Sequence, residues 1–430
     1  MPIASSTRLT VRQRLLQILL GAILFVLSVR FTVRDYGSTS LDATVVLRLA
    51  VIAVAVVVCL ARPGALLRSF SRPAAALWLV LFVWLTLGGI YSRAPVVTAV
   101  SGALLVACLV VAVSAATELP AGSLVAAVLS SITVMLIVCL VAYVLYPDVA
   151  RMNEWDPESG THEISGRMQG VLGAPNAVGR VAGLYLVFAV AYRTAFEGRA
   201  QRALLILGGL LAVLSIVLSG SRTSLLSATF AIAVIFFLQR KARWAVPLIA
   251  SVFLLGLLLL VPFGAVVLDR LSRHNTGDVL SGRGVVWSYA IELIRTHWLL
   301  GAGYNTTDIY FPEMARAAGR YFMPAHSHNF YLQMWACGGI IALVLGLAAI
   351  LTTLGTLLQQ QNRRVLTLFL FWFLSTFTET GGFDSVPTTA TFGLLLPVAL
   401  LVGVRKTAVL QRATGSAAVL QGSGGRAVAG

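Results

Sequence analysis

The chain has 430 residues, 58% of them hydrophobic and only 11% charged, with a mean hydropathy of +0.89. Ordinary soluble domains carry about a quarter charged residues, so this balance excludes a soluble globular enzyme and points to an all-α polytopic integral membrane protein. The net charge of +16 would suit a nucleic-acid partner only if it were gathered on one accessible face.

Apolar windows of about 17–25 residues are what a helix needs to cross a bilayer. Twelve follow in chain order: 15–33, 44–61, 74–92, 95–117 and 122–147, then 173–192, 203–219, 223–239 and 244–268, then 328–358, 365–381 and 386–404. With Arg8, Arg12 and Arg14 placing the N-terminus in the cytoplasm, the inside connections hold 18 of the 32 basic residues but only Glu118 and Glu197 of the 16 acidic ones. This is the positive-inside bias. The remaining 14 basic and 14 acidic residues cancel, so the pI requires no nucleic acid. An even number of spans returns the C-terminus to the cytoplasm. The four cysteines, Cys59, Cys108, Cys139 and Cys337, fall within spans and form neither a disulfide framework nor a CxxC pair. The first span is read as retained, since no cleavage site follows it.

The organisation is then a scaffold of five spans (1–147), an outer loop (148–172), spans six to nine (173–268), a large outer loop (269–327), spans ten to twelve (328–404) and an inside tail (405–430). Loops of such length in a compact bundle usually carry function. In the larger one Ser281 can cap a helix from Gly282 to about Thr296, whose stripe of Val286, Tyr289, Ala290, Leu293 and Ile294 suits the outer membrane surface. Gly301 and Gly303 end it in a turn.

The chain has no P-loop, GxGxxG, HExxH or DxD string, so neither nucleotide hydrolysis nor metal-assisted sugar-nucleotide transfer has its usual residues. Energy for a reaction must arrive in the substrate, with no cofactor. Thirty of the 32 basic residues are arginine, and several lie at or just inside the outer membrane surface, where a cation is costly and often functional. Arg48 and Arg180 each sit about a turn into a span, where a guanidinium either binds an oxyanion or snorkels to the interface. Arg222, in Ser219-Gly220-Ser221-Arg222-Thr223-Ser224, opens a helix whose free N–H groups favour anions. Arg283 repeats this at the loop helix. Two such arginines suggest one multiply charged anion such as a diphosphate, although Arg283 could instead pair with Asp278 or Glu292.

Where the large loop returns to the membrane, His326 and His328 stand in Pro324-Ala325-His326-Ser327-His328-Asn329. Histidine alone has an unperturbed pKa near neutrality, which suits a general base. A structural histidine or half of a metal site are the alternatives. Glu379 and Asp384, flanking Gly381-Gly382, are rival bases or sugar-binding groups.

Four pieces together resemble the O-antigen ligase and polymerase superfamily of bacterial inner-membrane enzymes, from about Gly166 to Leu358. They are Gly166-Arg167 with Gly170 and Pro175-Asn176; Ser219 to Thr223; Gly282-Arg283 with Trp287 and then Gly301-Ala302-Gly303; and His328-Asn329 followed by Gly338-Gly339. The resemblance implies a fold similar to other lipid-sugar-using membrane glycosyltransferases, and a metal-independent, inverting transfer with His328 as base. The donor implied is an undecaprenyl diphosphate-linked glycan, held by Arg222 and Arg283 with Arg167 or Arg180, and the acceptor is lipid A-core at the periplasmic face. Asn329 is expected to orient His328, and Asn176 to bind sugar or diphosphate, with His326, Ser221 and Glu379 in support. After Gly339 this chain offers Ala342 where the ligase pattern has a small polar residue, Gly or Tyr, so a repeat-unit polymerase or protein-glycosylating ligase stays open. A transporter or flippase of anionic lipid-linked sugar is the alternative from another class, but it would place charges deep in spans and in both halves.

Overall fold

Proline at the first turn starts several helices, because it lacks only an N–H that would be unpaired there anyway. Pro63, Pro73, Pro95 and Pro175 all do so. The computed structural model describes residues 9–29, 43–156, 161–196, 198–238, 283–319, 325–383 and 387–403. The expected span 244–268, the Ser281 cap, Asp278, Asp384 and the tail 405–430 lie outside them.

The helices are α1 (Val11–Ser28), α2 (Ala43–Leu60), α3 (Pro63–Phe70), α4 (Pro73–Leu87), α5 (Pro95–Glu118) and α6 (Ala121–Leu145), followed by α7 (Pro175–Tyr192), α8 (Arg199–Ser219) and α9 (Arg222–Leu238). After the undescribed stretch come α10 (Arg283–Thr296), α11 (Thr307–Ala317), α12 (Phe330–Gln359), α13 (Arg363–Ser375) and α14 (Thr389–Gly403). Among the described residues six helices are long and apolar enough to cross a membrane, or seven if α2 and α3, bent by 92°, form one broken span. The twelve expected from hydropathy are therefore not all met by single long helices. In particular α13 ends at Ser375, short of the expected 381, and leaves Glu379 in the loop beyond it.

The all-α expectation holds for the bundle, to which the structure adds one short hairpin. Within the loop 148–172 the strands β1 (Arg151–Asp156) and β2 (Thr161–Met168) form an antiparallel hairpin, with a register shift between Arg151 and Asn153. Hydropathy windows cannot see this, because two short strands pair through backbone hydrogen bonds and leave no long apolar run. The hairpin is tied to the bundle where Tyr143 donates from its hydroxyl to the Gly166 carbonyl at 2.8 Å and Arg151 lies over the Tyr143 ring.

The helix α14 is buried along nearly its whole length and packs on α5 and α13. Trp78, Trp372, Phe330 and Phe383 pack together in the same core, mostly edge to face. Several polar groups inside pair with one another, which is favoured where no water competes: Trp78 Nε1 donates to Thr353 Oγ1 at 3.1 Å and Ser131 to the Gly21 carbonyl at 2.8 Å. At one end of the bundle Arg12 grips Glu118 through two bonds of 2.8 Å, and Arg62 approaches the same carboxylate at 3.6 Å. Arg48 donates to the carbonyls of Val26 and Val29, and so caps the C-terminus of α1.

The glycine motifs of the large loop and of α12 prove to be two halves of one joint. α12 is broken at Gly339, whose φ of 68° and ψ of −172° are closed to other residues without strain. The segment after α10 fills the break: Ala302 and Gly303 donate to the carbonyls of Ala336 and Cys337, and Ile340 N donates to the Trp298 carbonyl. A Cβ on Gly339 would lie 2.0 Å from the Leu299 oxygen. The loop and the first turns of α12, where His328 leads in, are thereby fixed to one another.

Candidate active site

Glu379 is the point on which the predicted residues converge. Its side chain is 2% exposed, and each of its oxygens serves two partners. Oε1 accepts from Asn176 Nδ2 at 2.6 Å and faces Arg283 at 3.5 Å, while Oε2 faces Arg180 at 3.5 Å and His328 Nδ1 at 3.3 Å. These groups come from three different elements, the starts of α7 and α10 and the turn before α12. Burial alone would push the Glu379 carboxyl up, but the hydrogen bond from His328 and the Arg180 charge outweigh it, and the group is held below the ordinary carboxylate range. An ionised carboxylate only accepts, so the His328 tautomer is assigned with its proton on Nδ1, leaving Nε2 as an acceptor.

His328 itself has a φ of +50°. A non-glycine residue held there stores of order 1–3 kcal/mol and persists only where its surroundings fix it. They do: Ser327 N donates to Gln333 Oε1 at 3.0 Å, and Trp287 Nε1 donates to the Ser327 carbonyl at 3.0 Å. Gln333, fully buried, is in turn bonded to Thr307 at the start of α11 at 2.9 Å. The His326 ring lies 4.3 Å from that of His328.

The second predicted cluster lies one layer away. α8 ends at Gly220 in the left-handed conformation, Ser221 bonds Ser224 at 2.8 Å, and α9 starts at Arg222. Thr378, beside Glu379, donates to Thr223 Oγ1 at 3.2 Å, which brings this turn against the carboxylate loop. Gly179 allows the approach, since a Cβ there would meet that of Ser221 at 2.3 Å. The Arg222 side chain is exposed. Arg167 donates to the Ser219 carbonyl at 3.1 Å and so braces the turn instead of reaching Glu379. Ser221 likewise serves the turn.

Two alternatives fall away and one expectation changes. Arg283 pairs with Glu379, whereas Glu292 faces Arg295. Arg180 does not snorkel, being buried against Glu379. Asn329 does not orient His328: its side chain accepts from Leu332 N at 3.0 Å as the N-cap of α12 and donates to the Phe377 carbonyl at 3.1 Å. Glu379 does the orienting. Gln333 was not foreseen, and the central role of Glu379 was not either, although Glu379 and Asp384 are the only acids after Glu313.

His326, His328 and Glu379 offer ligand atoms within 4.8 Å of one another, enough for a metal ion. Arg180 and Arg283 press on the same carboxylate, and two guanidiniums oppose a dication. The charge arrangement fits an anion better.

The fold and this centre define a helical, membrane-type protein with an anion-attracting histidine site at the mouth of its bundle. Residues 207–347 match the family described as O-Antigen ligase, and that match bears out the motif resemblance over the stretch that contains Arg222, Arg283, His328 and both glycine motifs. Asn176, Arg180 and Glu379 lie outside it. A comparison with curated proteins finds no match.

Proposed function

We propose that the protein is an O-antigen ligase of the bacterial inner membrane, moving a glycan from undecaprenyl diphosphate to lipid A-core at the periplasmic face by an inverting, metal-independent reaction. The observation that carries this reading is the triad of His328, Arg283 and Arg180 on one buried carboxylate. Arg283 and His328, with side chains 24% and 29% exposed, open toward the outside, where a lipid-borne donor and a lipid-borne acceptor could meet. The donor's diphosphate lies against Arg283 and Arg180, with Arg222 as an outer contact. The acceptor hydroxyl gives its proton to Nε2 of His328, and its oxygen forms the bond to the anomeric carbon. The bond from that carbon to the diphosphate oxygen breaks, and the guanidiniums stabilise the charge that collects there. Glu379 holds His328 by Nδ1 and steadies the imidazolium. A repeat-unit polymerase would use the same donor site and differ in acceptor.

The test is reconstitution with purified lipid-linked glycan and rough lipopolysaccharide, measuring donor binding and single-turnover transfer separately. His328→Ala should bind donor and transfer it roughly 10²–10⁴-fold more slowly, the usual range for a lost general base. Arg283→Ala should lose donor binding and turnover together. Normal turnover by His328→Ala sinks the assignment. Transfer should also survive excess EDTA; loss on chelation with recovery on added magnesium or manganese would reinstate His326, His328 and Glu379 as metal ligands.

A further inference from the structure

The arginine contacts of Glu379 are loose. Arg180 and Arg283 each approach it through a single nitrogen at 3.5 Å, whereas the Arg12 guanidinium meets Glu118 through two bonds of 2.8 Å. Arg180 Nε is buried with no hydrogen-bond partner among the described residues, although a guanidinium has five donors to place. Two arginines facing one carboxylate leave an excess of positive charge and unspent hydrogen bonds. Asn176, at 2.6 Å, is by contrast a firm partner. The carboxylate is thus fixed by Asn176 and only lightly held by the cations around it.

Resting on the donor reading above, we propose that Glu379 is a resident counter-anion which the donor's diphosphate displaces: Arg283, and in part Arg180, pass from the carboxylate to the diphosphate, while Asn176 and His328 Nδ1 stay on Glu379. The difference in exposure supports this order of events. Arg283 is reachable from outside and Glu379 is not, so an incoming anion meets the guanidinium rather than the carboxylate. A fixed negative charge a few ångströms away also repels the bound diphosphate, by an amount that matters where little water intervenes. Its consequence is twofold. Stray anions are held weakly in the empty site, and after transfer the carboxylate takes the arginine back and helps the lipid diphosphate to leave.

A strut and a counter-anion answer oppositely to neutralisation. If Glu379 merely holds the arginines in place, removing its charge loosens them and weakens anion binding. If it competes for them, removing its charge strengthens binding. Binding of inorganic diphosphate to the full chain in detergent at low ionic strength, measured by calorimetry, distinguishes the two. Glu379→Gln is expected to bind diphosphate about tenfold more tightly than the parent, equivalent to about 1.4 kcal/mol, and to show slower multiple turnover relative to its first turnover. Equal or weaker binding by Glu379→Gln overturns the proposal. If that variant does not purify folded, Glu379→Asp carries the test, since it draws the charge back from both guanidiniums; tighter binding supports the proposal and unchanged or weaker binding overturns it. Arg283→Ala is the separate control. Parent-like diphosphate binding by Arg283→Ala removes the donor reading itself, whereas weak binding there combined with no gain in Glu379→Gln removes only the counter-anion role.

Discussion

Glu118, half-buried, and Glu379, buried, are both carboxylates facing two arginines, and they lie at opposite ends of α14. Gly403, at the end of that helix, comes against Ala116 just before Glu118, and Gly382 comes against Ala390 and Thr391 at its start. Glu118 is closed: a bidentate fork from Arg12 uses both oxygens, and Gln13 donates to the Glu118 backbone carbonyl at 2.7 Å. The result ties α1 to α5. Glu379 has the same charges in a different geometry, with longer single contacts, a histidine on one oxygen and an arginine that the outside can reach. Ion pairs of ideal geometry have nothing left to offer a ligand, whereas strained or partial ones do. Where the bundle needs joining it closes the pair, and where chemistry is proposed it leaves the pair open.

The largest effect should come from deleting the two carboxylates in turn. Removing one partner of a buried ion pair leaves an uncompensated charge and costs about 3–5 kcal/mol, so Glu379→Ala should lower the melting temperature of the protein in detergent, and Glu118→Ala, whose arginines are more exposed, should lower it less. Their activities should part. Transfer per folded molecule should persist in Glu118→Ala and be lost in Glu379→Ala. Equal loss in both would mean that the two ends differ only in appearance.

The sequence shows the parts of this contrast but not the contrast itself. Pro73, Pro95 and Pro175 mark helix starts because the chemistry of proline is local, and apolar runs mark the helices that follow. Arg180 stands out because a cation is costly at a membrane boundary, Arg283 because it opens a helix that favours anions, and His328 because histidine suits a general base. Their meeting on Glu379 was not readable, since Asn176 and Glu379 are separated by 203 positions and no periodicity reports such a contact. Asn329 shows the opposite error. Adjacency to a candidate base suggests service to it, whereas an Asn just before an apolar helix is first of all an N-cap. The glycine pairs of the loop and of α12 were visible as motifs, but only the fold reveals that they are one joint.

That joint should give the next largest effect. Gly339→Ala introduces a Cβ 2.0 Å from the Leu299 oxygen at a φ of 68°, and backbone strain of this kind costs of order 1–3 kcal/mol. Because the break fixes α10 to the start of α12, Arg283 and His328 should lose their common register, and transfer should fall more than stability does. Gly355→Ala is the internal comparison. It lies on the same helix with nothing within 4 Å of its added Cβ, so it should be neutral or gain up to about 1 kcal/mol. If Gly339→Ala transfers as well as Gly355→Ala, the joint is not what holds the site together.

The smallest effect tests whether Asn329 belongs to the chemistry or to the scaffold around it. As an N-cap it accepts from Leu332 N, and its loss to alanine should cost about 0.5–2 kcal/mol, read as a modest drop in melting temperature. Asn329→Asp keeps the accepting oxygen and places a negative charge at a helix start, where it is favoured, so it should recover most of that stability although the bond to the Phe377 carbonyl is gone. Neither change touches the contact between His328 and Glu379. Single-turnover transfer by both variants should therefore stay far above that of His328→Ala. If Asn329→Ala instead slows transfer as severely as His328→Ala while melting normally, the side chain acts on the imidazole during turnover in a way the resting structure does not display, and Glu379 would share the orienting role with it.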